Sequence, residues 1–185
     1  MGGLLGGLFL LSKQESISGE VPRMQTPLNP DAAFHVIAAA YHDVEGGEIS
    51  DRTLALLAAQ SAYETGRWQN MRNFNFGNLI KGSAKVPYVV ILGRKWRAYA
   101  TAPEGAEDWL RLIKTRYPNA WKAALAGDPL PFVAALGAGG YFREPDDPDF
   151  AATVETYQKG VHGLQFEFLD MIVRKGVSDA SSRRS

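Results

Sequence analysis

The sequence predicts a mainly α domain with one small β-hairpin, and three observations carry that prediction. Helix-start signals recur along the chain, at Asn29-Pro30-Asp31, Ser50-Asp51, Thr101-Ala-Pro-Glu104, Asp128-Pro129 and Asp147-Pro148. Only one stretch, Val86 to Tyr99, has strand-like composition. The 185 residues, 45% hydrophobic, are enough for one core of ordinary size and leave little room for a second domain.

Residues 1 to 11 are apolar but too short to span a bilayer as a helix, and they lack a basic n-region. Gly2, Gly3, Gly6 and Gly7 oppose an amphipathic helix, so the segment is expected to dock on a partner protein rather than lie on a membrane. Residues 12 to 30 read as a linker, rich in Ser, Gln, Glu and Pro. The expected organisation is therefore a tail and linker over 1–28, a folded unit over 29–174 and a disordered Ser- and Arg-rich end over 175–185.

Asn29-Pro30-Asp31 supplies a cap, a first-turn proline and a negative charge for a first helix ending near Tyr41 or His42. A second helix is expected from Asp51 to Thr65, with Leu54, Leu57, Ala58, Ser61 and Ala62 on its inner side and Gly66 as its stop. The hairpin should turn at Gly93-Arg94. Thr101 and Glu104 form a capping box, Pro118 opens a short helix through Trp121, and Asp128-Pro129 opens another through Leu136. A helix from Asp147-Pro148 should bear Phe150, Val154 and Tyr157, with a last helix over Leu164 to Val173.

Charge and composition exclude several classes. Twenty Lys and Arg balance twenty Asp and Glu, so no basic excess argues for a nucleic-acid or other polyanionic partner. The short basic run from Lys81 and Lys85 to Arg94, Lys95 and Arg97 does not change that balance. The absence of cysteine rules out disulfides, thiol nucleophiles and thiolate metal sites. Three scattered histidines, His35, His42 and His162, make a metal cluster improbable, and no cofactor is expected.

The chemistry is expected at Glu64. It follows Leu57 by seven residues and Ser61 by three, which turns its carboxyl toward the apolar face. Partial burial and the negative end of the helix dipole both disfavour its ionised form, which suits a general acid. On periodicity alone, a solvated helix-end Glu is the alternative.

Residues 58 to 66 (Ala-Ala-Gln-Ser-Ala-Tyr-Glu-Thr-Gly), with Asn73-Phe-Asn-Phe-Gly-Asn-Leu-Ile-Lys-Gly82, resemble the glucosaminidase domains of glycoside hydrolase family seventy-three, the flagellar muramidase type. Trp96-Arg-Ala-Tyr99 resembles that family's Phe-Arg-x-Tyr strand, and Gly140 to Phe150 its Gly-Tyr turn. The resemblance covers about residues 30 to 160 and implies a lysozyme-like fold acting on the peptidoglycan glycan strand. It implies Glu64 as catalytic acid, Tyr141 as an aromatic hydroxyl beside the reacting sugar, and Asn75, Phe76, Gly77 and Asn78 on the cleft wall. Turn packing is the alternative for Tyr141. Of the other aromatics, Trp96 and Tyr88 could face sugar from the hairpin, whereas Tyr99, Trp109 and Trp121 are expected in the core.

Two departures matter. The family's Phe-Gly-x-Lys element is longer here, and the hairpin from Ser83 to Tyr99 holds no Asp or Glu, although related enzymes often place a second carboxylate in that lobe. Glu104, Glu107 and Asp108 fit a cap and a helix surface better than that role. An N-acetylglucosaminidase assisted by the substrate's own acetamido group, a muramidase, a lytic transglycosylase and a non-catalytic wall-binding module all stay open. Because the glycan lies in the periplasm or wall and no export signal is evident, delivery in a phage virion or injection device, docked through residues 1–11, is the expectation.

Overall fold

The computed structural model describes residues 19–142 and 146–175. The docking tail, the start of the linker, the chain end beyond Lys175 and three residues of the Gly140 to Phe150 motif lie outside them. Among the described residues the order is α1 (Pro30–Glu45), α2 (Asp51–Thr65), β1 (Tyr88–Ile91), β2 (Arg94–Arg97), α3 (Ala102–Arg116), α4 (Pro118–Leu125), α5 (Pro129–Ala138) and α6 (Phe150–Lys175). No helix among them is long and apolar enough to cross a membrane.

The caps lie where the sequence signals put them. Asn29 Oδ1 accepts the Ala32 N–H at 2.8 Å, Ser50 Oγ accepts the Thr53 N–H, and Thr101 with Glu104 closes both halves of its capping box. Helix α1 runs on to Glu45, beyond the expected end. Helix α2 is the axis of the domain: every residue from Thr53 to Ala62 is buried, all round and not on one stripe. Its alanines let neighbours approach closely, and it packs most extensively on α6, with α1 and α4 on other sides.

Helix α6 replaces the two terminal helices expected from sequence. Gly160 and Gly163 lie between the two expected helices, and the 26-residue helix continues through both. At Gly160 the missing Cβ makes room for the Tyr63 ring, which would otherwise overlap it. Tight helix packing, not chain reversal, is the reason for that glycine.

The hairpin pairs Tyr88 with Arg97 and Ile91 with Arg94. Its turn is Leu92-Gly93, one residue before the expected position, with φ of 49° and 76°. Positive φ at both central residues is the type I′ form of a two-residue hairpin loop, and Arg94 then begins β2. Both edges of this small sheet are covered. Lys81 N–H bonds to Lys95 C=O and Arg97 N–H to Leu79 C=O on one side, while Val21 N–H bonds to Tyr88 C=O and Tyr88 N–H to Gly19 C=O on the other.

Residues 19–28 are therefore not linker, as their composition suggested. They form a strap on the hairpin and on the loop after α2. Thr26 is buried and exchanges bonds with Met71 and Phe74, and the Asn73 side chain accepts from Met24 N–H and donates to Pro22 C=O. Shortening a chain that starts at Gly19 to one that starts at Asn29 leaves buried polar groups of Asn73 and Phe74 without partners, so a loss of about 2 to 4 kcal/mol is expected. Calorimetric melting of the two chains checks this; equal melting temperatures would return the strap to a linker.

Candidate active site

The loop from Gly66 to Pro87 carries the floor of the site, and its backbone is unusual. Arg67, Trp68, Asn73, Phe74 and Asn78 all have positive φ without being glycine. Such residues persist only where surroundings over-determine them, and they gather at functional sites. Here the surroundings are explicit. Trp68 is fully buried, stacks on Phe168 at 5.5 Å and donates its indole N–H to Ser61 Oγ, which in turn donates to the Phe76 carbonyl. Thr65 ties the end of α2 to the loop by accepting the Trp68 N–H.

Glu64 sits beside that lock, half-buried, where two cavities of about 440 and about 200 Å³ meet. Glu64, Asn78, Trp96 and Arg97 border both, so an elongated ligand could lie across the carboxyl. Burial pushes the Glu64 pKa from an ordinary 4.5 up to about 7, against opposing hydrogen bonds from Tyr157 and Asn78 that favour the carboxylate. Desolvation dominates. The Tyr157 hydroxyl donates to Glu64 Oε1 at 2.6 Å and accepts from Gln60 Nε2 at 3.0 Å.

The expected site residues divide. Gly77, Asn78, Trp96 and Tyr141 border the larger cavity with Glu64. Tyr141 donates its hydroxyl to the Gly77 carbonyl at 2.9 Å, so that proton is directed at the loop. Asn75 touches the smaller cavity, but its amide is committed: Nδ2 donates to Leu79 and Arg97 carbonyls and Oδ1 accepts the Leu79 N–H. It staples the loop to the hairpin and is not free to hold a sugar. Phe76 does not reach the cleft wall, being 0% exposed and stacked on Trp109 at 6.4 Å. Tyr88 borders neither cavity; its ring lies under Lys95 and Lys81, at 4.7 and 5.5 Å from their ammonium groups. In each case a local motif position serves the loop or hairpin that shapes the cleft.

Tyr157 was expected only as a residue of a packed helix, yet it touches Glu64 from 93 residues away. No local pattern marks such a partner. Because its bond favours the ionised carboxyl, Tyr157→Phe should raise the Glu64 pKa further and move the alkaline fall in kcat/KM to higher pH. A profile measured on both proteins checks this, and an unmoved limb would reduce Tyr157 to packing.

Among the described residues bordering the two cavities, Glu64 is the sole carboxylate. Asp108 is held by Arg97 Nη1 at 2.6 Å and by the Tyr99 hydroxyl, Glu104 caps α3, and Glu107 faces Arg111. None of the three is placed as a partner acid.

The cleft thus runs between the end of the buried helix α2 and the small β-hairpin, around one carboxyl that burial presses toward its neutral form. The chain is similar to the glycoside hydrolase domain of FlgJ from Salmonella typhimurium, with a TM-score of 0.55 and 20% identity over 84% of this chain and 96% of that one. It is also similar to a peptidoglycan hydrolase from Sphingomonas sp. A1, at a TM-score of 0.49 and 23% identity over 75% of this chain and 92% of that one. No protein-family model and no curated protein sequence matches it. The FlgJ likeness establishes the fold, the one the sequence resemblance implied.

Proposed function

We propose that this chain is a peptidoglycan hydrolase that cuts the β-1,4 glycan backbone as an N-acetylglucosaminidase, with Glu64 as general acid. The observation that carries it is the half-buried Glu64 carboxyl at the meeting of two cavities, holding its proton up to about pH 7. A fold shared with the glycoside hydrolase domain of FlgJ and the motif resemblance support the same reading.

In this mechanism Glu64 donates its proton to the glycosidic oxygen as the C1–O bond breaks. With no second carboxylate bordering the cavities among the described residues, the acetamido carbonyl oxygen of the N-acetylglucosamine unit attacks C1 and forms an oxazolinium ring. Water then adds at C1 and reopens the ring, passing its proton back to Glu64. Asn78, which faces Glu64, and Trp96, which borders both cavities, supply an amide and an aromatic face to the sugar. Tyr141 borders the larger cavity beside them and holds the Gly77 carbonyl with its hydroxyl.

Digestion of purified peptidoglycan with mass analysis of new ends tests the assignment. N-acetylglucosamine reducing ends are expected. Muramic acid ends would show a muramidase, 1,6-anhydromuramic ends a transglycosylase, and no cleavage of any wall type a binding module.

A further inference from the structure

The cleft carries more positive charge than a neutral sugar chain requires. Lys81, Arg94, Arg97 and Arg116 all border the larger cavity, in a chain whose total charge is zero. When Glu64 is protonated, as its role demands, the described lining of that cavity holds cations alone. Two of the four are already engaged: Arg97 pairs with Asp108, and Lys81 donates to the Ala84 carbonyl at 3.0 Å. Arg94, at the start of β2, and Arg116, at the end of α3, have no carboxylate partner among the described residues; the Arg116 guanidinium lies only against the Tyr117 ring, at 5.6 Å. One comes from each wall.

Two unpaired cations bordering one cavity favour an anion there, and guanidinium groups match carboxylates in a planar, two-pronged geometry. The zero net charge concealed this concentration, since the fold adds Arg116 from α3 to the basic run that starts at Lys81. Peptidoglycan differs from a plain glycan in the carboxylate-bearing peptide stems beside its sugars. Resting on the glycan reading above, we infer that Arg94 and Arg116 form a subsite for peptide-stem carboxylates, so that the enzyme selects stem-bearing strands.

The test compares intact purified peptidoglycan with the same material after its stem carboxylates have been amidated. On intact material, Arg94→Gln with Arg116→Gln should lower kcat/KM about tenfold, mainly through KM, the sum of two exposed ion pairs. Amidation should cost the wild-type protein about as much and the double variant little more. Added salt should weaken wild-type activity more than that of the variant. An undiminished variant on intact wall, or an equal loss on both materials, would overturn the subsite. Sedimentation of a catalytically silent Glu64→Gln chain with each wall preparation reads binding without turnover, so the subsite can fail or stand apart from the hydrolase reading: equal binding to both walls sinks it.

Discussion

Glu64→Gln is expected to remove at least about a hundredfold of the turnover on peptidoglycan while leaving the protein folded, because general acid catalysis is worth ~10² to 10⁴ and no other carboxyl stands among the described residues that line the cleft. The amide keeps the shape and can still accept from the Tyr157 hydroxyl. A second, opposite effect on stability should accompany the loss. The folded state holds a proton on Glu64 up to about pH 7, whereas the unfolded chain releases it near 4.5. Stability therefore falls as pH rises through that window, and the full penalty of an ionised, desolvated carboxylate is present above it. At pH 8 the glutamine variant should melt at a higher temperature than the wild type, and at pH 4 the difference should vanish. A variant that keeps more than about a tenth of normal activity would remove Glu64 from the chemistry; one that melts lower at pH 8 would show that its carboxylate is well accommodated.

Gly77→Ala should also be damaging, through the architecture rather than the acid. A Cβ at this position would stand under 3 Å from Trp109 Cδ1 and Nε1 and from the Tyr141 hydroxyl. Trp109 is 0% exposed and backed by Phe76, so its ring has no space to yield, and the Tyr141 hydroxyl would have to swing toward the cavity it borders. Overpacking of this kind costs about 1 to 3 kcal/mol, and displacing Tyr141 also breaks its bond to the Gly77 carbonyl, about 1 kcal/mol more. A fall in melting temperature on the order of 10 °C is expected, with activity reduced at least tenfold even where the variant is still folded. Calorimetry and kinetics at low temperature separate the two. An alanine variant with unchanged melting and rate would mean that the loop has slack the packing does not show.

What could be read in the chain was local chemistry. Ser50 and Gly66 bound the helix bearing Glu64, and the Thr101 and Glu104 pair opens α3, because caps act within one turn. The position of Glu64 near the end of an apolar helix already implied a carboxyl pressed toward its neutral form. The remainder depends on distant partners. The bonds of Asn73 to residues 22 and 24 span about fifty positions, and nothing in a Ser- and Pro-containing segment announces them. Tyr157 reaches Glu64 only because α6 runs unbroken through Gly160, a residue type that locally argues for a break. Asn75 and Phe76 were legible as motif members but not by role, since an amide that binds a sugar and an amide that pins a loop look alike in sequence.

Whether a protonated Glu64 cuts the glycan, as proposed, is decided by the pH dependence of kcat/KM on purified peptidoglycan. Activity should hold on the acid side and fall about tenfold per pH unit above about 7, the free-enzyme titration of Glu64. A fall already complete near pH 5, rates level to pH 9, or no soluble glycan released at any pH would contradict it.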